Sequence, residues 1–416
     1  MQRLIHSRPL QGSLAAPPSK SAAHRLLICA ALGDRESFVG PLILSKDMEA
    51  TLRCLRALGA EITPEGEGVR VVPVDTPAPR PLLDCGESGS TLRFLLPVAA
   101  ALGAEATFTG GGRLPDRPVK DLLEVLAAHG VTASSNRLPL TLSGQLTGGD
   151  FFIGGNVSSQ YVTGLLLALP LTAPGRVILT SPLQSAGYVE MTRRAMALCG
   201  VETEDMQVTA PGRYRPPAAL RVEGDWSNAA FFLAAGALGG PVKVSGLDPA
   251  SPQGDRQILS LLERFGASVT VAPGAVTVAK GKLKGIEADM GDIPDLLPPL
   301  AILGAAAEGV TRLYNAGRCR LKECDRLSAV AALLADLGGR VEEGPEELVI
   351  HGGAPLAGGT VRGCNDHRIV MAAALAASLC REPVRVTDAE AVAKSYPGFF
   401  EDLAALGGIS YELPFR

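Results

Sequence analysis

The sequence contains 416 residues, well beyond the ~250 to 300 at which one hydrophobic core stops growing, so it predicts two domains. Its 39 lysines and arginines against 43 aspartates and glutamates give a formal charge of −4, which argues against a general basic surface for nucleic acid or an anionic membrane. The eight cysteines are scattered without the paired spacing of a zinc site, so we expect reduced thiols, no bound metal and a cytoplasmic location.

Six apolar stretches recur along the chain, each opened by polar residues and followed by a strand-like run. They cover residues 23–40, 91–110, 161–180, 229–246, 296–315 and 369–388. Helices that are apolar on nearly every face belong inside a core, and at about a dozen residues they are too short to span a bilayer. We therefore predict six buried helices, with kinks or ends at their internal prolines. These prolines are Pro97, Pro170, Pro298 and Pro299.

A second, amphipathic helix follows each apolar one. In residues 47–59 one face is marked by Met48, Leu52, Leu55 and Leu58. A glycine then stands where a left-handed residue would end the helix. These glycines are Gly59, Gly130, Gly200, Gly266, Gly338 and Gly407. Because they lie 66 to 72 residues apart, the chain predicts six copies of one repeat.

The end of each repeat has the pattern of two short strands. In residues 267–280, for example, two Val/Thr runs flank a Pro-Gly turn and predict a β-hairpin. Each repeat is then strand, helix, strand, helix, strand, strand, which is an α/β architecture. We expect three repeats in a domain of residues 19–223 and three in a domain of residues 224–416, with residues 1–18 as a strand-like arm of the second.

Polar residues at the helix starts are more numerous than capping requires. Ser19 is positioned to cap a helix, and Ser21 and Arg25 lie one turn apart, so both can reach one ligand. Cations at a helix N-terminus oppose the helix dipole unless an anion binds there, so their repetition predicts a site for several anions. The alternative is a set of capped helix starts that face solvent. The site candidates are Lys20, Ser21, Arg25, Gly89, Arg117, Ser158, Ser159, Gln160, Ser185, Tyr188, Asp295, Lys322, Glu323, Arg326, Arg368 and Lys394.

Two carboxylates stand among these cations. Asp295 is either a helix cap or an acid–base group, and Glu323 is either an ion-pair partner of Arg326 or a second acid–base group. His367 is expected to be a positioned hydrogen-bonding group, since no second His or Cys lies at metal-ligand spacing. The chain contains no phosphate loop, dinucleotide fingerprint or nucleophile elbow, so no cofactor is expected.

The motifs at these positions resemble those of the enolpyruvyl transferases of the shikimate pathway. In chain order they are PPSKSAAHR (17–25), GESGSTLR (86–93), LPDRPV (114–119), VSSQYVTG (157–164), IPD (293–295), LKECDR (321–326), NDHR (365–368) and AKSYP (393–397). The resemblance covers essentially the whole chain. It implies two similar domains, each of three βαβαββ units with buried central helices in an inside-out α/β barrel, and an active site in the cleft between them.

The resemblance also implies a reaction. The enolpyruvyl (carboxyvinyl) group of phosphoenolpyruvate would pass to the 5-hydroxyl of shikimate 3-phosphate with release of phosphate, on the route to chorismate and the aromatic amino acids. By the same resemblance Asp295 accepts the hydroxyl proton, and Glu323, with Lys20 nearby, handles the proton at the methyl carbon. The enzyme would be a cytoplasmic monomer and a glyphosate target, without cofactor, nucleic acid or membrane partner.

Substrate contacts follow from the resemblance residue by residue. The implied shikimate 3-phosphate ligands are Lys20, Ser21, Arg25, Ser158, Ser159, Gln160, Ser185, Asp295 and Lys322, and Tyr188 joins the substrate-binding set. The implied phosphoenolpyruvate ligands are Lys20, Gly89, Arg117, Gln160, Arg326, Arg368 and Lys394. Two positions depart from the family pattern, since Glu87 and Arg318 each stand where an Asn is common. Glu87 leaves the response to inhibitors open. Arg318 leaves one contact to the phosphate of shikimate 3-phosphate open.

Two other functions are open at this level. The UDP-N-acetylglucosamine enolpyruvyl transferases share the architecture, but they typically carry a cysteine in the loop that here is GGGRLPDRP (110–118), which has none. A non-catalytic ring or clamp of six repeats around DNA would need cations spread along an inner surface. In this chain they gather at helix starts beside Asp295 and Glu323.

Overall fold

The computed structural model describes residues 1–208 and 212–414. The chain forms two compact lobes: the first lobe is Pro18–Val222, and the second lobe combines Met1–Pro17 with Glu223–Arg416. The helices are α1 (Lys20–Ala31), α2 (Lys46–Leu58), α3 (Gly89–Ala101), α4 (Lys120–Ala128), α5 (Ser159–Ala168), α6 (Ala186–Leu198), α7 (Trp226–Leu238), α8 (Ile258–Phe265), α9 (Leu297–Ala306), α10 (Arg326–Asp336), α11 (His367–Ala377) and α12 (Phe399–Ala405). The strands are β1 (Gln2–Ile5), β2 (Gly12–Ala15), β3 (Ser37–Gly40), β4 (Glu61–Glu65), β5 (Gly68–Val72), β6 (Leu82–Asp84), β7 (Thr107–Thr109), β8 (Val131–Ala133), β9 (Leu140–Gly144), β10 (Gly149–Ile153), β11 (Gly175–Leu179), β12 (Gln207–Val208), β13 (Ala219–Arg221), β14 (Val242–Ser245), β15 (Ser268–Ala272), β16 (Ala275–Ala279), β17 (Glu287–Asp289), β18 (Val310–Tyr314), β19 (Arg340–Glu343), β20 (Leu348–His351), β21 (Gly359–Val361), β22 (Val384–Thr387) and β23 (Ser410–Leu413).

Six helices form the interior of the lobes. α1, α3 and α5 lie in the first lobe and α7, α9 and α11 in the second, and most of the residues of each are buried. All 13 residues of α7 are buried. The predicted burial of the six apolar stretches is confirmed, because a helix that is apolar all round gains stability from losing solvent on every face. Within the described residues, no helix combines the length and hydrophobicity needed to cross a bilayer.

Among the described residues each lobe also contains three β-sheets, which confirms the α/β class. The strand orders are β13-β3-β5-β4, β6-β7-β9-β8 and β10-β11-β12 in the first lobe, and β15-β16-β14-β2, β17-β18-β20-β19 and β21-β22-β1-β23 in the second. Each four-stranded sheet has one parallel pair of neighbouring strands and two antiparallel pairs. That pattern is what a βαβ crossover followed by a hairpin produces.

Strands from distant parts of the chain complete both lobes. In the first lobe β13, at its C-terminal end, lies parallel to β3, with Leu220 opposite Val39. In the second lobe β2 lies parallel to β14, with Leu14 opposite Val244, and β1 lies between β22 and β23. The N-terminal arm therefore supplies two strands to the second lobe.

The third repeat departs from the expected pattern. Its sheet has three strands among the described residues, β10, β11 and the two-residue β12. Residues 209–211 lie outside the part of the chain that the structure describes. The other five sheets each contain the four strands that a βαβαββ repeat requires.

The prolines act differently from one helix to the next. Pro298 and Pro299 lie in the first turn of α9 rather than inside it, where the missing N–H costs no helical hydrogen bond. Pro170 lies in a 3₁₀ turn that follows α5, so this proline marks the helix end. Pro97 lies inside α3, which continues for four more residues.

Gly164 shows how α3 and α5 come so close. A β-carbon at Gly164 would overlap the carbonyl oxygen of Arg93 and lie 3.2 Å from the ring of Pro97. Pro97 has no N–H to bond the Arg93 carbonyl, so the backbone of α5 packs directly over this interrupted turn. A larger residue at position 164 would separate the two central helices.

The turns that end the second helices match the sequence pattern. The six predicted terminating glycines all have positive φ, from 75° to 116°. The predicted hairpin is also present, since β15 and β16 pair antiparallel on either side of Pro273 and Gly274. Both features depend on local backbone chemistry.

Candidate active site

Arg326, the first residue of α10, is the centre of a polar cluster in the second lobe. Its side chain is 1% exposed, and it donates to Asp295 Oδ1 at 2.7 Å, Glu323 Oε2 at 2.6 Å and Asp366 Oδ2 at 2.9 Å. Burial lowers the pKa of Arg326, but these carboxylates outweigh it and hold the pKa well above its ordinary value. The guanidinium is therefore a permanent cation that orients both predicted acid–base groups.

Asp295 lies in the 3₁₀ turn Pro294–Leu296, just before α9, and it does not cap a helix. Its Oδ2 accepts a hydrogen bond from Arg368 at 3.1 Å, and its Oδ1 lies 3.4 Å from Lys322 Nζ. Burial alone would raise the pKa of Asp295, but the surrounding cations hold it well below its usual range. The group is thus an ionised carboxylate that is still 15% exposed, as a proton acceptor must be.

Glu323 and Lys322 lie in the turn before α10. The helix is capped by Asp325, whose carboxylate accepts the N–H of Ser328 at 3.1 Å. The expected ion pair between Glu323 and Arg326 is present, and Glu323 remains 19% exposed. Burial lowers the pKa of Lys322. A carboxyl group and a lysine are therefore both partly exposed just before α10.

A strained bend precedes α11. Cys364 and Asn365 both have left-handed backbones, with φ of 52° and 50°, a conformation that costs a non-glycine residue of order 1–3 kcal/mol. The bend directs the carbonyl of Asn365 to Lys394 Nζ at 2.7 Å. Asp366 then caps α11 by accepting the N–H of Arg368 at 2.9 Å. Strained backbone of this kind concentrates at functional sites.

Two further candidates, like Lys322 and Glu323, lie before a helix rather than at the helix start where the sequence placed them. Lys394 ends the 3₁₀ turn Ala389–Lys394, five residues before α12. Arg117 follows the 3₁₀ turn Leu114–Asp116, three residues before α4. Both lie in irregular segments, whose course depends on tertiary packing rather than on a repeating pattern.

In the first lobe, Lys20 is the first residue of α1 and Ser19 is its N-cap, as predicted. The Lys20 ammonium donates to Asp47 Oδ2 at 2.7 Å, and the two side chains are 18% and 13% exposed. Asp47 lies in the first turn of α2, after the capping Ser45. Sequence reasoning missed this partner, although an acidic residue in a first turn is a recognisable signal.

Arg25 is more enclosed than a ligand-binding residue would need to be. Its side chain donates to Ser21 O at 2.6 Å, Thr192 Oγ1 at 2.9 Å and Tyr188 O at 2.9 Å. Burial lowers the pKa of Arg25 to about 10. Arg25 thus fixes the start of α1 against α6, and so holds Ser21 and Tyr188 in place.

Gly89, the first residue of α3, lies between two arginines. A β-carbon on Gly89 would be 2.8 Å from Arg93 NH1 and 2.9 Å from Arg117 NH1. Arg93 NH1 donates to Gln160 Oε1 at 2.7 Å, and the Gln160 amide donates to Ser90 Oγ at 2.9 Å. Bare backbone beside two guanidinium groups is suited to binding an anion at close range.

Three serines complete the candidates in the first lobe. Ser158 caps α5 by accepting the N–H of Gln160 at 3.3 Å, and the adjacent Ser159 is buried. Ser185 precedes α6 in the left-handed conformation, with φ of 57°. A serine held at positive φ is a second point of backbone strain at a predicted substrate contact.

A hydrogen-bond chain that the sequence does not predict links α1, α2 and α3. The Thr91 hydroxyl donates to Ser88 Oγ at 2.7 Å, Thr51 Oγ1 lies 2.7 Å from Thr91 Oγ1, and His24 Nδ1 lies 2.7 Å from Thr51 Oγ1. Because each hydroxyl has one hydrogen, Thr51 donates to Thr91, and His24 Nδ1–H donates to Thr51. Burial, with a further contribution from nearby cations, lowers the pKa of His24. His24 is therefore neutral, with its proton on Nδ1.

The structure also positions the two departures from the family pattern. The Glu87 side chain packs over Gly112, which has a φ of 56° and no room for a β-carbon. Arg318 NH1 donates to the carbonyl of Gly291 at 3.4 Å. Both residues are held by their own lobes.

The two lobes offer complementary chemistry. Hydroxyls, cations and bare backbone at helix starts in the first lobe can bind phosphate or carboxylate groups. In the second lobe, two carboxyl groups that are hydrogen-bonded to a buried arginine can also transfer protons. Together with six α/β repeats, these groups define a transferase of the enolpyruvyl transferase class. The fold is similar to that of an EPSP synthase from Acinetobacter baumannii, with a TM-score of 0.80 and 26% identity over 99% of this chain and 100% of that one.

The sequence comparisons identify the family. The EPSP synthase (3-phosphoshikimate 1-carboxyvinyltransferase) family model matches residues 5–403. Proteins named 3-phosphoshikimate 1-carboxyvinyltransferase from Clostridium novyi and Clostridium kluyveri are 40% and 39% identical to this chain. The alignments cover 96% of both chains for the first and 97% of both for the second. The chain belongs to the EPSP synthase family, which confirms the resemblance found in its motifs.

Proposed function

We propose that this chain transfers the enolpyruvyl group of phosphoenolpyruvate to the 5-hydroxyl of shikimate 3-phosphate, as a 3-phosphoshikimate 1-carboxyvinyltransferase of the shikimate pathway. The observation that carries this conclusion is the buried Arg326, which orients Asp295 and Glu323 within a chain whose family model spans residues 5–403. An addition followed by an elimination needs one group for the hydroxyl proton and another for the carbon proton.

The two steps can be assigned to these groups. In the addition, the 5-hydroxyl oxygen bonds to C2 of phosphoenolpyruvate and C3 gains a proton. In the elimination, phosphate leaves C2 and C3 returns the proton, which restores the double bond. We assign the hydroxyl proton to Asp295 and the C3 proton to Glu323, with Lys20 nearby. Substrate anions bound to Lys322 and Arg368 would offset the charges that depress the pKa of Asp295, so binding would make it a better base.

Substrate binding is assigned to the residues that the motifs indicate. For shikimate 3-phosphate they are Lys20, Ser21, Arg25, Ser158, Ser159, Gln160, Ser185, Tyr188, Asp295 and Lys322. For phosphoenolpyruvate they are Lys20, Gly89, Arg117, Gln160, Arg326, Arg368 and Lys394. The proposal is supported by the arginines and lysines among them, whose charge-assisted hydrogen bonds suit one carboxylate and two phosphates.

We place the active site in a cleft between domains 19–223 and 1–18 plus 224–416. The support is that the ligands assigned to each substrate come from both lobes. Lys20 and Arg117 belong to the first lobe, and Lys322 and Arg368 belong to the second. The enzyme is proposed to act as a cytoplasmic monomer. Use of UDP-N-acetylglucosamine instead is disfavoured by the family match and by the loop of residues 110–118, which has no cysteine.

Phosphate release tests the proposal directly. Purified protein is incubated with phosphoenolpyruvate and either shikimate 3-phosphate or UDP-N-acetylglucosamine, and released phosphate is measured. We expect phosphate release only when shikimate 3-phosphate is the acceptor. The rate of release should be strongly reduced in the Glu323→Gln variant. Release with the nucleotide sugar, or with neither acceptor, would contradict the assignment.

A further inference from the structure

The fourth repeat contributes no residue to the site proposed above, yet it contains a buried carboxyl group, Asp255. Asp255 lies in the 3₁₀ turn Gly254–Gln257 and is 1% exposed. Its Oδ2 is hydrogen-bonded to the hydroxyl of Ser227, in the first turn of α7. A fully buried acid of this kind needs an explanation, because burial penalises its charged form.

The turn that carries Asp255 packs against the segment leading into Asp295. A β-carbon at Gly254 would lie 3.2 Å from the carbonyl oxygen of Asp292 and 3.8 Å from Ile293 Cγ2. Asp295 follows two residues after Ile293. The turn that carries Asp255 and the segment that leads to the proposed catalytic carboxylate are therefore neighbours within the same lobe.

Hydrogen bonding favours the neutral form of Asp255. Its Oδ1 is buried and has no hydrogen-bond partner among the described residues. A carboxylate would leave a charged oxygen unsatisfied there, whereas a neutral acid can donate from Oδ2 to Ser227 and leave only a carbonyl oxygen at Oδ1. Burial, followed by the charge of Asp295, raises the pKa of Asp255 to about 7.

Three charged groups influence this proton. The carboxylates of Asp295, before α9, and Asp225, the N-cap of α7, favour the neutral form, whereas Arg368 of α11 favours the charged form. α8 follows the turn directly, but its charged residues, Glu263 and Arg264, are exposed. The balance at Asp255 is thus set by the same Asp295 and Arg368 that form an ion pair in the proposed site.

We propose that Asp255 is a positioning residue whose protonation state controls how strongly Arg368 holds the substrate anion. The neutral acid leaves Arg368 directed to Asp295 and to phosphoenolpyruvate. The ionised acid adds a second carboxylate that competes for Arg368 and weakens the anion site. This role rests on the proposed function, because it takes Arg368 as a phosphoenolpyruvate ligand.

The single tryptophan of the chain, Trp226, can report the titration directly. Trp226 is the neighbour of Ser227 in the chain. Its backbone N–H donates to Gln253 Oε1 at 3.0 Å, and its indole N–H donates to the backbone carbonyl oxygen of Asp248 at 3.1 Å. We expect Trp226 fluorescence of the substrate-free protein to change with a midpoint near the Asp255 pKa of about 7. Asp255→Asn should abolish this transition.

Two further variants make the fluorescence test independent of whether Asp255→Asn folds. Asp248→Asn is the matched control, because Asp248 is an exposed carboxylate beside the same indole, and it should retain the transition. Ser227→Ala should move the midpoint to higher pH, since a hydroxyl bonds a carboxylate more strongly than a neutral acid. A transition that persists in Asp255→Asn, or does not move in Ser227→Ala, overturns the proposal.

Phosphoenolpyruvate affinity supplies the second readout. Dissociation constants are measured across the same pH range for the wild-type protein and for Asp255→Asn. The ligand phosphate titrates at about pH 6, but this affects both proteins equally, so the ratio of their dissociation constants isolates the effect of Asp255. We expect the wild-type protein to lose roughly tenfold more affinity than the variant as pH rises through this range.

The two readouts separate failure of this role from failure of the proposed function. The fluorescence titration needs no substrate, so it tests Asp255 whatever the protein binds. A fluorescence transition assigned to Asp255, together with parallel affinity profiles in the two proteins, would overturn its control of Arg368. Absence of phosphoenolpyruvate binding in both proteins would instead refute the function and, with it, this role.

Discussion

Replacing Glu323 with Gln separates proton transfer from positioning. Glu323 accepts a hydrogen bond from Arg326 at 2.6 Å, and Arg326 also donates to Asp295 and Asp366. A glutamine oxygen can accept the same hydrogen bond from Arg326. The bond then loses only the extra strength that the carboxylate charge gives it, which is about 1 kcal/mol. Arg326 and Asp295 should therefore keep their positions.

The kinetic effect should be much larger than the structural one. Loss of a general acid or base typically lowers turnover by ~10²- to 10⁴-fold, whereas about 1 kcal/mol changes a dissociation constant only about fivefold. We expect kcat of Glu323→Gln to fall by at least ~10²-fold. Shikimate 3-phosphate affinity, measured by calorimetry, should change no more than about fivefold.

Asp325→Asn is the matched control for this experiment. Asp325 lies two residues from Glu323 and caps α10, and asparagine caps a helix about as well as aspartate. This variant removes a neighbouring carboxylate without touching the proposed proton transfer, so its kcat should stay close to that of the wild-type enzyme. If Glu323→Gln also retained a near-normal kcat, Glu323 would be a structural ion-pair partner and not an acid–base group.

Four further predictions follow from the geometry. Gly89→Ala should raise the glyphosate inhibition constant at least roughly tenfold more than the phosphoenolpyruvate KM, because the inhibitor is bulkier and the new β-carbon crowds two guanidinium groups; steady-state kinetics with equal losses would contradict this. Shikimate 3-phosphate should lower the radius of gyration in small-angle scattering by drawing the proposed domains together, and Lys322→Ala should weaken that change; an unchanged profile at saturation would rule closure out. Nitrogen-15 NMR should show His24 neutral and protonated at Nδ1 at neutral pH, because burial lowers its pKa, with Thr51→Val altering the tautomer; an Nε2 proton in the wild-type protein would disprove the hydrogen-bond chain. Because the pKa of Asp255 is higher in the folded protein than its unfolded-state value of about 4, Asp255 contributes stability that is fully present below that value and is lost as pH rises through about 7. In denaturant unfolding, the unfolding free energy of the wild-type protein should therefore fall by up to about 4 kcal/mol relative to that of Asp255→Asn over this range. Parallel curves of unfolding free energy against pH would refute the shift.

The features that the sequence predicted are those set by local chemistry. A helix that is apolar on every face, such as α7, has no stable place except a core. A glycine such as Gly59 ends a helix because it can adopt positive φ without a steric cost. The β15–β16 hairpin follows from its turn and its alternating residues. Each of these signals lies within about fifteen residues, so one sequence is enough to recognise it.

The features that the sequence did not fix depend on contacts between distant residues. No local signal indicates that β13 lies beside β3, about 180 residues earlier, since strand pairing depends on the whole fold. The same limit applies to the partners of site residues. Asp47 pairs with Lys20 from another helix, and Lys394 reaches Asn365 through a strained bend that no periodic pattern reveals.

Two aspartates of the second lobe show why chemistry required the structure as well. Asp255 and Asp295 both lie in short 3₁₀ turns, before the amphipathic α8 and the apolar α9 respectively, and in the sequence alone either could be a cap. Burial raises the pKa of both, but Asp295 is surrounded by Lys322, Arg326 and Arg368, which reverse its shift. At Asp255 the charge of Asp295 adds to the effect of burial and outweighs the opposing charge of Arg368, so the pKa of Asp255 stays raised. Neighbouring acids driven in opposite directions are the arrangement that lets one site hold a proton and accept one at the same pH.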